Sequence, residues 1–368
     1  MRKKERVAWL DVAKCLGIFA VYIGHFGKDA GLIYDYVFQF HVPLFFFLAG
    51  CTRRISARKL LDSVRQATIK LMVPFFLFGL IYLALLALVV DSLNDTPGHL
   101  LILLKGAPRN QFAAGSLWFL TCLWVIEVLF SLIQRWKWFF QVPVAIGLYV
   151  IVTKLLPWNP LFEPRGWYNV DSALAYFLYF VLGYTLFPVL EKWFHAGQSK
   201  RKTILHFAGV LSLAYGVMTF QTQAKYHVQL YLNVPGYDVV GTILHTSILI
   251  FSTVYVAWLL QGVGVLKSTG QDTLYLCGNE DTVRMLFPIA WKTIGLGVQF
   301  VSPMSFPIYA AVLIGVVRKL IAPVERNLFG RITRRIKCES FGCHSHAECG
   351  AIPGRASETS EKADSSAG

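Results

Sequence analysis

Long apolar runs, each ended by a short polar or basic stretch, dominate the chain. Residues 71–90, 117–133, 139–156, 174–190, 204–220 and 239–260 are almost uninterrupted. At about 1.5 Å per residue each is long enough to cross ~30 Å of hydrocarbon. Two earlier runs, residues 7–26 and 37–51, carry polar interruptions, and residues 285–300 and 305–322 complete a set of ten. Inside lipid an unpaired backbone amide costs several kcal/mol, so these runs are expected to be α-helices. The alternating segments of a membrane barrel do not occur. The predicted architecture is therefore all-α: a polytopic membrane bundle of about ten helices over residues 1–322. A basic and then disordered cytoplasmic tail is expected over residues 323–368.

Composition agrees with the pattern. Of 368 residues 55% are apolar and only 15% charged, with a mean hydropathy of +0.51, too little charge to coat a soluble domain of this length. The basic start (Arg2, Lys3, Lys4, Arg6) resembles a signal peptide, but Asp11 and Lys14 interrupt the apolar stretch. A retained first helix is expected instead. A net charge of +14 could suggest nucleic acid, yet its placement follows the spans. With the N-terminus inside, alternate polar segments hold 24 Lys/Arg against 7 on the opposite side, a positive-inside distribution that puts both ends in the cytoplasm. The partners implied by charge are anionic lipid headgroups and not nucleic acid. The seven cysteines fall in or beside spans or in the inner tail, so no structural disulfide is expected. The tail cluster Cys338, Cys343, His344, His346 and Cys349 has metal-ligand residue types, but its spacing matches no zinc module and no metal is expected.

Ionisable side chains inside apolar runs are the candidates for chemistry, because each costs a few kcal/mol to insert. The first span holds Asp11, Lys14 and His25. Lys14 and His25 are eleven residues apart, about 20° past three full turns, so they share one face some 16 Å apart along the axis. Asp11 lies one turn before Lys14 and is placed to pair with it. An imidazole is the side chain best suited to proton transfer near neutral pH. His41 enters the second span from the edge that His25 reaches, so the two rings are expected to approach. Pro43 is expected to interrupt that helix, and Phe45–Phe47 to face lipid or a partner. Asn279, Glu280, Asp281 and Arg284 precede the expected ninth span; they either line an entrance or pair as a solvated helix start.

Together these residues resemble a family. Trp9-Leu10-Asp11-x-x-Lys14, ten residues and His25, followed by His41-Val42-Pro43-Leu44-Phe45-Phe46-Phe47-Leu48-Ala49-Gly50, is similar to membrane acyltransferase family 3, which includes the fucose 4-O-acetylase-like sugar O-acetyltransferases. Lys70–Phe75, Leu117–Leu120 with Glu127, and Gly270–Leu274 extend the likeness over residues 7 to about 320. Ala49 stands where the family has Ser. The family's paired arginines, with two residues between them at the start of the third helix, are replaced by Arg65 and Lys70 at another spacing. The soluble esterase-like domain fused to some members is not expected here.

The resemblance implies transfer of an acyl group, most often acetyl, from cytoplasmic acyl-CoA to a hydroxyl of a cell-surface or lipid-linked carbohydrate. It also implies a bacterial plasma membrane. His25 would be the general base, aided by His41, with Lys14 and Asp11 on the same polar face; an acyl-histidine intermediate is a second route. Arg53, Arg54, Arg58, Lys59, Arg65 and Lys70 would meet the CoA phosphates at the inner mouth, and Glu280 would line the donor entrance. The competing expectation is a carrier or flippase for a lipid-linked sugar or polyol. It suits buried charge and aromatic outer loops but not the lack of an internal repeat.

Overall fold

The computed structural model describes residues 6–54, 60–89, 96–112, 114–161, 163–195, 200–226, 239–293 and 305–341. Among them every regular element is helical. In chain order these are α1 (Ala8–Gly24), α2 (Leu32–Val37), α3 (His41–Thr52), α4 (Leu60–Val89), α5 (Thr96–Leu104), α6 (Trp118–Ile133) and α7 (Trp138–Val150). They continue as α8 (Val170–Phe194), α9 (Lys200–Tyr226), α10 (Val239–Leu259), α11 (Gly264–Gln271), α12 (Thr273–Thr293), α13 (Ser305–Val316) and α14 (Ala322–Phe341). Seven helical stretches among the described residues are long and apolar enough to cross a membrane, and α6 is a shorter apolar helix. The chain is thus a multi-pass membrane protein.

Two helices that carry buried carboxylates, α1 and α12, lie against each other. α1 packs against α3, α10, α11, α12 and α13, and most of its length is buried, Asp11 included. α12 carries Asn279, Glu280 and Asp281, all buried. It starts at Thr273 and not at residue 285, which corrects the ninth expected span. An apolar window skips those charges; surrounded by protein, they pair with one another and with α1, so the helix can carry them. Residues 294–300 of that expected span lie outside the described residues.

Between lipid-soluble helices there is little hydrophobic driving force, so close backbone approach and polar contacts do the holding. α3 and α8 cross through reciprocal glycines: a methyl group on Gly50 would fall into the Phe180 carbonyl, and one on Gly183 into that of Phe47. α8 covers one side of α3, and α1 with the Phe119 ring of α6 covers the other. Phe45, Phe46 and Phe47 are therefore buried, at 9%, 0% and 6% exposure, and do not face lipid as expected. The Phe46 ring stacks on Tyr176 at 4.8 Å. Gly270 lets α11 press on α1, where any side chain would strike the Asp11 backbone.

The expected second span is two pieces. α2 and α3 are separated at Phe38–Phe40, and Pro43 sits in the first turn of α3, where a missing N–H costs nothing. The break is held from outside: the Gln39 Oε1 accepts from His245 Nε2 at 2.7 Å, and Thr246 Oγ1 donates to the Gln39 carbonyl at 3.3 Å. At the other end of the chain the expected boundary at residue 322 falls inside a continuous helical run. α13 passes through a π-helical turn at Val317–Ile321 into α14. α14 packs on α4 and α12, with Phe329 against Phe78 and Glu325 accepting from Asn279 Nδ2 at 2.6 Å. The cysteine- and histidine-rich segment 343–349 lies outside the described residues.

Candidate active site

Tyr22 fixes the register of α1 on α12: its hydroxyl donates to the Leu276 carbonyl at 2.9 Å. One turn further along each helix stand His25, capping α1, and Glu280. Their side chains meet, with His25 Nδ1 against Glu280 Oε2. The glutamate side chain is 1% exposed and the imidazole 20%, so the carboxylate is locked in the interior and the ring is only partly covered. A carboxylate only accepts, so Nδ1 carries the proton of the neutral ring and Nε2 carries the lone pair. Such an imidazole is oriented as a base.

Arg284, one turn beyond Glu280, closes the group. Its Nη1 donates to the His25 carbonyl at 2.8 Å, its Nη2 to Asp281 Oδ1 at 2.6 Å, and its Nε lies 3.4 Å from Glu280 Oε1. Asp281 Oδ2 in turn accepts the Ser116 N–H at 2.9 Å, while the Ser116 hydroxyl donates to the Cys277 carbonyl at 2.7 Å. The loop entering α6 is thereby tied to the same cluster. His25, Glu280 and Asp281 offer ligand atoms within 4.8 Å of one another, as a divalent cation would require. The Arg284 guanidinium pairs with both carboxylates, and with His25 they form a hydrogen-bonded acid–base group.

The remaining residues expected from the sequence separate into two places. Asp11 pairs with Lys14 at 3.4 Å and also accepts from Gln271 Nε2 at 3.3 Å. Both lie toward the opposite end of α1 from His25, Lys14 about 16 Å and Asp11 about 21 Å away along a continuous helix. Trp9, at that end, donates to Glu191 at 2.9 Å. His41 does not hydrogen-bond His25; it is buried, and its Nδ1–H donates to the Val37 carbonyl at 2.7 Å, bridging the break between α2 and α3.

The basic mouth is organised by a carboxylate. Arg53 donates to Glu127 Oε2 at 2.6 Å and to Ser131 Oγ at 3.1 Å, and Lys70 lies 3.7 Å from Glu127 Oε1. Glu127 is almost fully buried while Lys70 is 66% exposed. Arg54 and Arg65 are exposed, and Arg58 and Lys59 lie outside the described residues. Glu280, expected at the donor entrance, is instead the partner of His25. Spacing alone gave no signal for Ser116 or for Glu127 as a shared counter-charge, because their partners lie 165 and 74 residues away.

Comparison with known proteins agrees with this reading. The profile of an acyltransferase domain, that of acyltransferase family 3, matches residues 7–333. No curated protein and no solved structure matches the chain significantly. The match covers α1 to α14, including both the histidine site and the basic mouth, and it favours acyl transfer over a carrier. The chain belongs to acyltransferase family 3.

Proposed function

We propose that the protein moves an acetyl group from cytoplasmic acetyl-CoA to a hydroxyl of a cell-surface or lipid-linked carbohydrate, in a bacterial plasma membrane with both chain ends inside. The observation that carries this is the contact of His25 Nδ1 with the buried Glu280. Glu280 holds the ring so that Nε2 faces the acceptor, and it stabilises the imidazolium that forms. The hydroxyl oxygen attacks the thioester carbonyl; a C–O bond forms, the C–S bond breaks, and the proton passes through Nε2 to the departing thiolate. Arg284 pairs with both carboxylates and fixes the His25 backbone. His41 acts through the backbone it bridges and not on the proton.

At the other end of α1, the exposed Lys70, Arg54 and Arg65 meet the donor phosphates, with Lys14 at the start of the path. Arg53, held by Glu127, shapes that mouth. An extended pantetheine arm suits the roughly 16 Å from Lys14 to His25. Labelled acetate followed into surface glycan tests the reaction in cells. Label that appears only with the wild-type chain is expected; no label with abundant wild-type protein would overturn acetyl transfer to glycan.

A further inference from the structure

Two loops at the His25 end of the bundle are knotted together. Ala107 and Asn110 in one, and Tyr168 and Asn169 in the other, have positive φ, between 45° and 68°. Tyrosine and alanine rarely adopt that conformation, and it persists only where the surroundings over-determine it. They do so here. The Tyr168 N–H donates to the Lys105 carbonyl at 2.9 Å. The fully buried Asn169 donates to the Gly106 carbonyl and Thr121 Oγ1 and accepts the Arg109 N–H. Gly106 has no side chain because Tyr168 occupies the space. The Arg109 guanidinium lies 4.9 Å from the Trp118 ring, and two residues before Trp118 is Ser116, which binds Asp281 beside His25. The knot is therefore anchored to the catalytic cluster.

It presents an aromatic surface outward. Trp167, next to the left-handed pair, is 66% exposed, and Lys105 Nζ stands 6.0 Å from its ring. In the same loop Arg165 lies 5.3 Å from Trp158, and Asp171 ties down the Arg165 and Gly166 N–H groups. Arg165 has a neighbouring carboxylate in Glu163 at 3.6 Å, which leaves Lys105 as the cation at Trp167. The rigid, exposed indole beside an ammonium offers a flat apolar face and a positive charge together, the pair of features that suits a pyranose ring carrying a negative charge.

We propose that Trp167 and Lys105 form a docking platform for an acidic carbohydrate acceptor, a sugar bearing a carboxylate, on its way to His25. This rests on the acyl-transfer reading for its purpose but not for its test. Full-length protein carrying His25→Ala, in detergent micelles, is titrated with a uronic-acid-containing oligosaccharide and with its carboxyl-reduced form. Saturable binding of the acidic probe is expected. It should weaken about tenfold in Trp167→Ala, recover in Trp167→Tyr, and lose its preference over the reduced form in Lys105→Gln. Failure of the parent to bind the acidic probe would overturn the platform, as would equal binding by Trp167→Ala at an unchanged melting temperature. Equal affinity for both probes would overturn the acidic preference. Binding without transfer by the wild-type chain would support the platform and sink acetyl transfer alone.

Discussion

Replacing Glu280 by Gln keeps its volume and removes the charge that orients His25. Turnover is expected to fall about 10²–10³-fold with little change in the donor KM, because the interaction matters most when the imidazolium forms. Turnover kinetics on vesicles carrying matched amounts of protein check this; an unchanged kcat would place Glu280 in structure only. At the basic mouth the same charge logic governs stability. Glu127 is buried between Arg53 and Lys70, so Arg53→Ala leaves a carboxylate without its nearest partner and is expected to cost about 3–5 kcal/mol. Arg53→Ala combined with Glu127→Gln is expected to recover much of that loss. Thermal melting of the single and double variants measures it, and additive losses would contradict the pairing. The sequence singled out His25 and Lys14 because ionisable groups at depth stand out in an apolar run. It could not assign Glu280 to His25, since α1 and α12 meet across 255 residues of chain.

Among elements, the crossing of α3 and α8 is constrained from both sides, by Gly50 and Gly183. With no lipid-excluded driving force to compensate, a side chain at Gly183 must push the helices apart. Gly183→Val is expected to abolish accumulation of folded protein, whereas Gly147→Ala, which meets open space on α7, is expected to be silent. Size-exclusion profiles of the solubilised variants separate the two; normal behaviour of Gly183→Val would refute the crossing. Helix positions were legible wherever apolar runs were pure, as in α4, α6 and α8. They shifted where function put polarity. α12 was placed too late because its charges are neutralised by tertiary pairing, and the Phe38–Phe40 break was hidden because Gln39 receives its hydrogen bonds from α10. The burial of Phe45–Phe47 was equally unreadable, since the residues that cover them, among them Phe119, Tyr176 and Gly183, come from distant helices.

Over the whole molecule, the two polar centres sit at opposite ends of α1, with a carboxylate-held histidine at one end and a basic mouth at the other. The alternation of 24 and 7 basic residues across the polar segments is the basis for proposing that the mouth faces the cytoplasm. In a cysteine-free background, a cysteine at Asn110 is expected to react with a membrane-impermeant maleimide added to intact cells. One at Lys200 is expected to react only after the membrane is opened, and the reverse pattern would invert the topology. In the proposed mechanism α1 spans the distance between donor and acceptor, and α12 supplies the carboxylate beside His25. Acetyl transfer from labelled acetyl-CoA to glycan, followed in sealed vesicles with the basic mouth outward, tests that account most directly. Wild-type protein should transfer label, His25→Ala at the same membrane level should transfer none, and donor binding should survive in both. Undiminished transfer by His25→Ala would contradict it.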